Sequence, residues 1–302
     1  MKTDTQIMNE LAVSSGYIKP IAEEDAKALK ILLLDMYKDI SALCDKHRLE
    51  YMLGGGSCLG AIRHQGYIPW DDDLDMMMPR ASYEELIRLC DQGELGEKYE
   101  IDVPRKDRES RNTFLKIYRK NSLDVEITSE NTPGPNGIFI DVFPMDFAPK
   151  NALMRKIKGL FSDVLQTISV CVLFAKYPSQ RYKEFMMQSK ESAKRYRLRM
   201  ALGNVFGIIP HRKWVWWFDQ FNFCANDTGW LTIPTGRKHY VGECRPTSIY
   251  LPTTKTLFEG IEVNVPSNCH EYLTSMYRNY MEIPPVEKRE RHFVYKFKLP
   301  EE

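Results

Sequence analysis

The sequence predicts an α+β fold in which a mixed sheet with flanking helices is interrupted by a helical insertion. Apolar residues recur at three- and four-residue steps in residues 23–48, as in an amphipathic helix. Short apolar runs bounded by Gly, Pro and Asn predict strands at 114–119, 124–128 and 138–143. Residues 151–223 differ, since they are helix-like, basic and aromatic, with few strand signals.

These patterns predict three parts: a core in residues 1–150, an aromatic-rich helical insertion in 151–235, and strands with a helix in 236–302 that complete the core. Within the first part we expect a strand at 51–53, a strand at 73–78 and helices on either side of the second strand. The last part should close with a helix around 269–280.

Composition restricts the classes of function. The 42 basic and 41 acidic residues nearly cancel, so no global basic field indicates a nucleic-acid partner. Seven dispersed cysteines without a C-x-x-C pair predict reduced thiols in a cytoplasmic protein. Residues 1–10 are polar and predict no signal peptide. The apolar run 164–175 is shorter than the roughly 20 residues of a membrane span and predicts a core helix.

An acidic run, Asp71 to Asp75, follows Trp70. On a strand, Asp73 and Asp75 point to one side while Leu74 points into the core. Two carboxylates about 7 Å apart at Cα could hold a hard cation such as Mg²⁺, which binds oxygen ligands and bridges to phosphates. A solvated acidic turn would produce the same composition.

A glycine stretch lies upstream of the acidic run. Gly55, Gly56 and Ser57 follow a predicted strand, and a predicted helix starts at Ser57. Glycine lets a backbone approach a phosphate closely, and a helix N-terminus supplies N–H donors. A glycine-serine turn, a helix and then a strand with two aspartates is the general nucleotidyltransferase pattern. The gap from Ser57 to Asp73 is somewhat longer than is usual for that pattern.

Two further charged residues lie in apolar predicted strands. Asp141 interrupts the apolar run 138–144 and is a candidate third carboxylate, because an ionised Asp there is costly without a cation or donors. It could also cap the end of a strand. Lys116, within 114–118, could reach a phosphate or extend to the surface.

Three segments carry a resemblance to a known family. Residues 53–79, LGGGSCLGAIRHQGYIPWDDDLDMMMP, resemble the signature of the LicD family, which also covers the fukutin-related proteins. Residues 139–146 resemble its second motif and residues 272–292 its closing motif. The closing motif usually reads Tyr-Gly-Asp-Tyr, so Arg278 and Asn279 depart from it.

The resemblance implies a nucleotidyltransferase fold and transfer of a phosphate-linked group from a CDP-activated donor to a glycan. Bacterial members typically move phosphocholine from CDP-choline to cell-surface polysaccharide and release CMP. The residues that it implies are Asp73, Asp75 and Asp141 for Mg²⁺ or Mn²⁺, Gly55, Gly56 and Ser57 for the donor phosphates, and Arg63 and His64 to support the loop or touch phosphate.

Other roles stay open at this point. Asp71 or Asp141 could take the acceptor's proton. Arg289 and His292 could close over the donor or lie on the surface. An aromatic cage for choline could draw on several side chains whose default role is packing: Tyr67, Trp70, Trp214, Trp216, Trp217 and Trp230. Residues 206–218 could contact the inner face of the cytoplasmic membrane, where lipid-linked glycans are held, or form a buried helix pair.

Alternative reactions use the same pattern. CDP-ribitol, CDP-glycerol or a phosphoethanolamine donor would give a sister transferase, and an NTP donor would give a true nucleotidyltransferase. A binding module without activity is a third alternative. The intact set Asp73, Asp75 and Asp141 argues against the binding module, because decayed sites lose such carboxylates.

Overall fold

The helices and strands are described for residues 21–285, 289 and 294–301 of a computed structural model. The helices are α1 (Glu23–Lys46), α2 (Gly55–His64), α3 (Arg80–Asp91), α4 (Ala152–Lys176), α5 (Gln180–Met186), α6 (Lys190–Phe206), α7 (His211–Asn222), α8 (His239–Gly242), α9 (Thr247–Tyr250) and α10 (Cys269–Tyr277). The strands are β1 (Met52–Leu53), β2 (Asp75–Pro79), β3 (Tyr99–Asp102), β4 (Leu115–Arg119), β5 (Leu123–Glu126), β6 (Phe139–Phe147), β7 (Trp230–Thr232), β8 (Arg245–Pro246), β9 (Thr254–Phe258), β10 (Ile261–Val265) and β11 (Val294–Lys298).

Within the described residues, the main sheet has seven strands in the order β1-β2-β6-β4-β3, with β7 paired to β6 and β8 to β7. β2 and β6 are parallel, and the other neighbours are antiparallel. The predicted mixed sheet with flanking helices is therefore confirmed. Two pairs stand apart from it: β9 with β10, and β5 with β11.

The long strand β6 organises the sheet. Its first half lies between β2 and β4, which brings Asp75 beside Asp141 and Lys116 beside Asp141 in register. Its end pairs with β7, so that Asp146 lies opposite Thr232. Charged residues from three strands thus meet along β6.

Helix α1 forms where the periodicity predicts it. Three acidic side chains in its first turn suit the positive end of the helix dipole. Leu29, Leu33, Met36 and Ile40 are buried against the sheet at three- and four-residue spacing. Burial of such side chains stabilises the fold by about 1.5–3 kcal/mol each.

Two predicted boundaries need correction at the sites of interest. β2 begins at Asp75, so Asp73 and Leu74 precede the strand that was expected to start at Asp73. Leu74 is nonetheless buried, while Asp73 and Asp75 are only partly buried, as the alternation predicted. α2 begins at Gly55 and not at Ser57, so the glycines form the first helical turn.

The region from 152 to 222 consists of four helices, α4 to α7. Its first helix, α4, contains the run 164–175 that was predicted to be a core helix. That prediction is confirmed only in part, because α4 is 25 residues long and only 28% of its most apolar 18-residue window is buried. Within 164–175, Ser169, Cys171 and Val172 are the buried positions.

A buried ion network joins the helical region to the sheet. The guanidinium of Arg80 on α3 binds both carboxylate oxygens of Asp146 on β6 at 2.8 and 2.7 Å. It also reaches Asp219 of α7 at 2.8 Å. Arg80 and Asp146 are almost fully enclosed, at 2% and 0% side-chain exposure. Asp146, at the end of the segment 139–146 that resembles the second family motif, therefore has a structural partner.

Candidate functional site

The glycine stretch and the acidic run meet at the N-terminus of α2. A Cβ built on Gly56 would lie 2.9 Å from a carboxylate oxygen of Asp71, and one on Gly55 would lie 3.1 Å from Asp75. Gly55 also has a positive φ of 46°, which side chains rarely adopt. Glycine is required here because two carboxylates approach the helix backbone.

Backbone hydrogen bonds fix this approach. The Ser57 hydroxyl accepts the amide N–H of Asp75 at 2.8 Å, and the amide of Gly54 donates to the Asp75 carbonyl at 3.0 Å. The Gly55 amide donates to the hydroxyl of Tyr272 at 3.0 Å. Ser57 is buried, so its hydroxyl holds the start of β2 in place.

A pocket of about 580 Å³ opens at this junction. Of the residues predicted for the site, those that line it are Gly55, Gly56, Arg63, Asp71, Asp73, Asp75 and Arg289. The lining among the described residues leaves out Ser57, His64, Lys116 and Asp141. His292 lies outside the described residues.

Arginine side chains surround Trp70 at the rim of the pocket. The guanidinium carbon of Arg289 lies 4.1 Å from the Trp70 ring centroid, and that of Arg63 lies 6.0 Å from it. Arg63 also donates to the backbone carbonyl of Tyr280 at 2.7 Å, which ties the end of α2 to the segment after α10. Two cations therefore lie against Trp70 beside the acidic run.

His64 is held next to Arg63. The Arg63 Nε donates to the His64 Nε2 at 2.9 Å, which requires an unprotonated ring nitrogen. Burial lowers the pKa of His64, and the positive charge of Arg63 lowers it further. His64 thus acts as a neutral acceptor that orients Arg63.

Asp141 and Lys116 form an ion pair beside the pocket. The Lys116 Nζ lies 2.9 and 3.2 Å from the two carboxylate oxygens of Asp141, and 3.5 Å from the ring centroid of Phe139. Burial lowers the pKa of Lys116, but the charge of Asp141 outweighs it and the pKa is raised. Both side chains are 15% exposed, so Lys116 is not the extended surface lysine that was one alternative.

The chemistry of the donor set can be compared with the predicted magnesium site. Asp73 and Asp75 offer carboxylate oxygens at the pocket, and Mg²⁺ commonly binds one or two carboxylates plus substrate phosphates. The described part of the chain holds no group of three His, Cys, Asp or Glu side chains placed to bind a metal ion. Asp73 and Asp75 fit a metal site of two carboxylates that the phosphates of a substrate would complete. Asp141 is instead paired with Lys116.

The pocket also contains residues that the sequence reasoning missed. Arg237 and Glu243 come from the turn around α8, and Tyr277 comes from α10. The Arg237 guanidinium lies 5.5 Å from the Tyr277 ring centroid. Burial raises the pKa of Tyr277, as does the nearby charge of Asp75. Only Tyr277 belonged to a recognised motif, and no local pattern marks Arg237 or Glu243.

The predicted aromatic cage is largely not assembled at the pocket. Trp70 lines it, together with Tyr272 and Tyr277. Trp214 packs instead against Trp217, 5.3 Å between centroids, and Trp230 against Arg155. Trp214 through Trp217 belong to α7 in the helical region.

The segment that contains the glycine stretch and the acidic run matches a known protein family. Residues 48–169 match the family model described as LicD/FKTN/FKRP, nucleotidyltransferase domain. Over 286 residues, 88% of this chain and 94% of the relative, the chain is 25% identical to the lipopolysaccharide cholinephosphotransferase LicD of Haemophilus influenzae. Uncharacterized proteins of Rickettsia typhi and Rickettsia prowazekii are 29% and 33% identical over 51% and 36% of this chain, and 46% and 40% of their own. These matches confirm the resemblance predicted from the motifs and support a transferase.

Proposed function

We propose that this protein, whose residues 48–169 form a domain of the LicD family, transfers phosphocholine from CDP-choline to a glycan and releases CMP. The observation that carries the proposal is a single pocket that combines both signs of charge. Asp71, Asp73 and Asp75 line it together with three arginines. Phosphocholine has a matching combination of an anionic phosphate and a quaternary ammonium.

The anionic part of the donor has two sets of partners. Arg63, Arg237 and Arg289 line the pocket and can neutralise phosphate charge. The N-terminus of α2, at Gly55 and Gly56, adds a positive dipole end. Because phosphoryl transfer depends mainly on positioning and charge neutralisation, these groups account for most of what the chain must supply.

The cationic part of the donor needs negative or aromatic surroundings. Carboxylates of the acidic run and the rings of Trp70 and Tyr277 line the same pocket. Aromatic faces attract quaternary ammonium groups by about 0.5–2 kcal/mol. We assign choline to this side of the pocket, in place of the wider aromatic cage considered from sequence.

The reaction requires one bond to form and one to break. The acceptor hydroxyl attacks the phosphorus that carries choline, and the bond from that phosphorus to the bridging diphosphate oxygen breaks to release CMP. We assign Asp71 as the base that takes the hydroxyl proton, since it lines the pocket while Asp141 is paired with Lys116.

A divalent cation is part of the proposal. Asp73 and Asp75 would hold Mg²⁺ or Mn²⁺ together with donor phosphates, and the ion would supply charge stabilisation for the departing CMP. Removing the metal with a chelator should abolish transfer, and Mg²⁺ should restore it. Full activity in chelator would contradict this part alone.

Product analysis tests the proposal. The purified protein is incubated with CDP-choline, Mg²⁺ and a lipopolysaccharide or polysaccharide acceptor, and nucleotides are separated by chromatography. We expect CMP in equal amount to glycan-bound phosphocholine. CDP-ribitol, CDP-glycerol and CDP-ethanolamine run in parallel identify a sister reaction. Pyrophosphate from an NTP would indicate a nucleotidyltransferase, and no turnover of any donor would indicate a binding module.

A further inference from the structure

The first four turns of α4 carry an exposed apolar surface on one side. Six large apolar side chains there are between 41% and 65% exposed: Leu153, Met154, Ile157, Leu160, Phe161 and Val164. At 3.6 residues per turn, they fall within about a third of the helix circumference. We call this set the apolar stripe. Soluble surfaces rarely display contiguous apolar patches of this kind without a binding role.

The opposite side of α4 is held against the protein. Gly159 and Ser162 are buried, and the Lys158 Nζ lies 3.4 Å from the Asn222 carbonyl of α7. Further along, a Cβ on Gly203 of α6 would come within 2.1 Å of the Cys171 carbonyl, so α6 and α4 touch backbone to backbone. These contacts hold α4 lengthwise along the body.

The packing of α4 distinguishes a helix that spans a bilayer from one that lies on its surface. By length and composition, α4 is the one helix in the described part of the chain that could cross a membrane. A spanning helix would have to leave its contacts with α6 and α7. A helix that stays on the body and exposes only one apolar side is suited to lie in the plane of a membrane surface.

The net charge of the helical region indicates that the membrane would be anionic. Residues 151–223 contain 13 Lys and Arg against 4 Asp and Glu, a net charge of +9. The whole chain carries +1, so the remaining residues carry −8. A basic region with an apolar stripe is attracted to anionic lipid, whereas the acidic remainder is repelled by it.

Two lysines lie beside the stripe. Lys150 and Lys156 are exposed at the start of α4. Arg155 between them is instead turned to the protein, where its guanidinium lies 3.8 Å from the Trp230 ring centroid. Exposed lysines at the edge of an apolar face can reach lipid phosphates while the apolar side chains enter the acyl boundary.

We propose that the apolar stripe of α4 docks on the surface of an anionic lipid bilayer, with Lys150 and Lys156 at the headgroups. α8 packs against α4 and follows directly after Gly236 and Arg237 of the pocket wall. Docking there would place the pocket near lipid-anchored acceptors. This moves the membrane contact from residues 206–218, where Trp214, Val215 and Phe218 are buried, to α4.

Vesicle co-sedimentation tests the docking without reference to any donor. The full chain is mixed with vesicles of phosphatidylcholine and phosphatidylglycerol in equal parts, and with phosphatidylcholine alone. We expect binding to the anionic vesicles that weakens at high salt and falls at least tenfold on neutral ones. No binding to anionic vesicles, or equal binding to both, would overturn the proposal.

A matched pair of variants locates the contact. Leu160→Gln/Phe161→Gln removes two stripe residues of 64% and 56% exposure and should reduce vesicle binding at least tenfold. Ile31→Gln/Leu257→Gln changes two side chains of 64% and 48% exposure on α1 and β9 and should leave it unchanged. Equal binding by both variants would overturn the assignment to α4. Circular dichroism confirms that both are folded.

Self-association is the competing use of the stripe. Sedimentation velocity without lipid should show the wild type and the Leu160→Gln/Phe161→Gln variant at the same monomeric mass. A wild-type dimer that this variant converts to monomer would assign the stripe to a second copy of the chain and overturn the membrane proposal. If the wild-type protein bound anionic vesicles but did not turn over CDP-choline, only the proposed function would be contradicted.

Discussion

The sheet core and the helical region 151–223 differ in what they do with their charges. In the core, acidic side chains converge on a pocket beside a glycine-led helix. In the helical region, basic residues predominate and an apolar stripe faces outward. We propose that the two regions divide the function, with donor chemistry in the core and contact with an acceptor-bearing surface in the helices. Variants that affect one region alone can test this division.

The largest effect should follow loss of a pocket carboxylate. Asp75→Asn keeps the shape and the backbone bonds of β2 but removes one charge beside Gly55. We expect kcat/KM for transfer to fall about a thousandfold, or about 4 kcal/mol of transition-state stabilisation. Steady-state kinetics measures this.

A control for Asp75→Asn is Glu262→Gln, which removes an exposed carboxylate paired with Lys255 on the β9–β10 hairpin. It should retain the wild-type rate, with vesicle binding intact in both variants. A near-normal rate for Asp75→Asn would remove the acidic run from the reaction and with it the proposed division.

The ion network around Arg80 tests how firmly the two regions are joined. Arg80→Ala leaves Asp146 as a buried unpaired charge, which typically costs about 3–5 kcal/mol of folding stability. Asp219→Asn weakens only the contact to α7 and should cost less. Denaturant unfolding with probes in each region measures both.

Arg88→Ala serves as the control on the same helix, because the side chain is 51% exposed and pairs with Glu85 at the surface. It should change stability by less than about 1 kcal/mol. If Arg80→Ala were equally mild, the buried network would not be what holds α7 to the sheet.

A pH effect is expected at the start of α7. His211 is buried, and burial lowers its pKa from the usual 6.5 to about 4, although Glu109 opposes the shift. As the pH falls below 6.5, the unfolded chain binds a proton that the folded chain does not, so stability declines until about pH 4. The full difference corresponds to up to about 3 kcal/mol.

Unfolding midpoints between about pH 7 and about pH 4.5 should therefore fall less steeply in His211→Gln than in the wild type. His270→Gln, which removes an exposed imidazole on α10, is measured beside it as the control for the substitution. An unchanged slope in His211→Gln would show that the ring does not titrate with unfolding.

The smallest effect is expected at the rim of the pocket. Arg289→Ala removes the guanidinium stacked on Trp70 and should raise KM for the donor about tenfold with little change in kcat, or about 1.4 kcal/mol. Arg105→Ala, which breaks an ion pair with Asp91, should leave KM unchanged. A fall in kcat with unchanged KM would assign Arg289 to the chemical step.

Local patterns predicted much of the fold, because periodicity and turn residues act over short distances. α1, β1, β4 and α10 lie close to where the sequence predicts them. The core-helix prediction for 164–175 was wrong in part, because periodicity shows an apolar side but not whether another element covers it.

For the site as well, local patterns identified the residues that are close in sequence but not those that only the fold brings together. Gly55, Gly56, Asp71, Asp73 and Asp75 could be predicted because they are near one another in sequence and share a motif. Arg237 could not, since a turn more than 150 residues away is brought to the pocket only by the fold. The strand register explains Asp141: β4 places Lys116 beside it, a pairing that no local pattern shows.

Calorimetric titration of CDP-choline into the protein tests the central claim most directly. With Mg²⁺ present, we predict saturable binding to one site per chain that is lost in Asp75→Asn and retained in Leu160→Gln/Phe161→Gln. Binding that survives in Asp75→Asn, or no binding by the wild type at millimolar donor, would contradict a donor site at the acidic run.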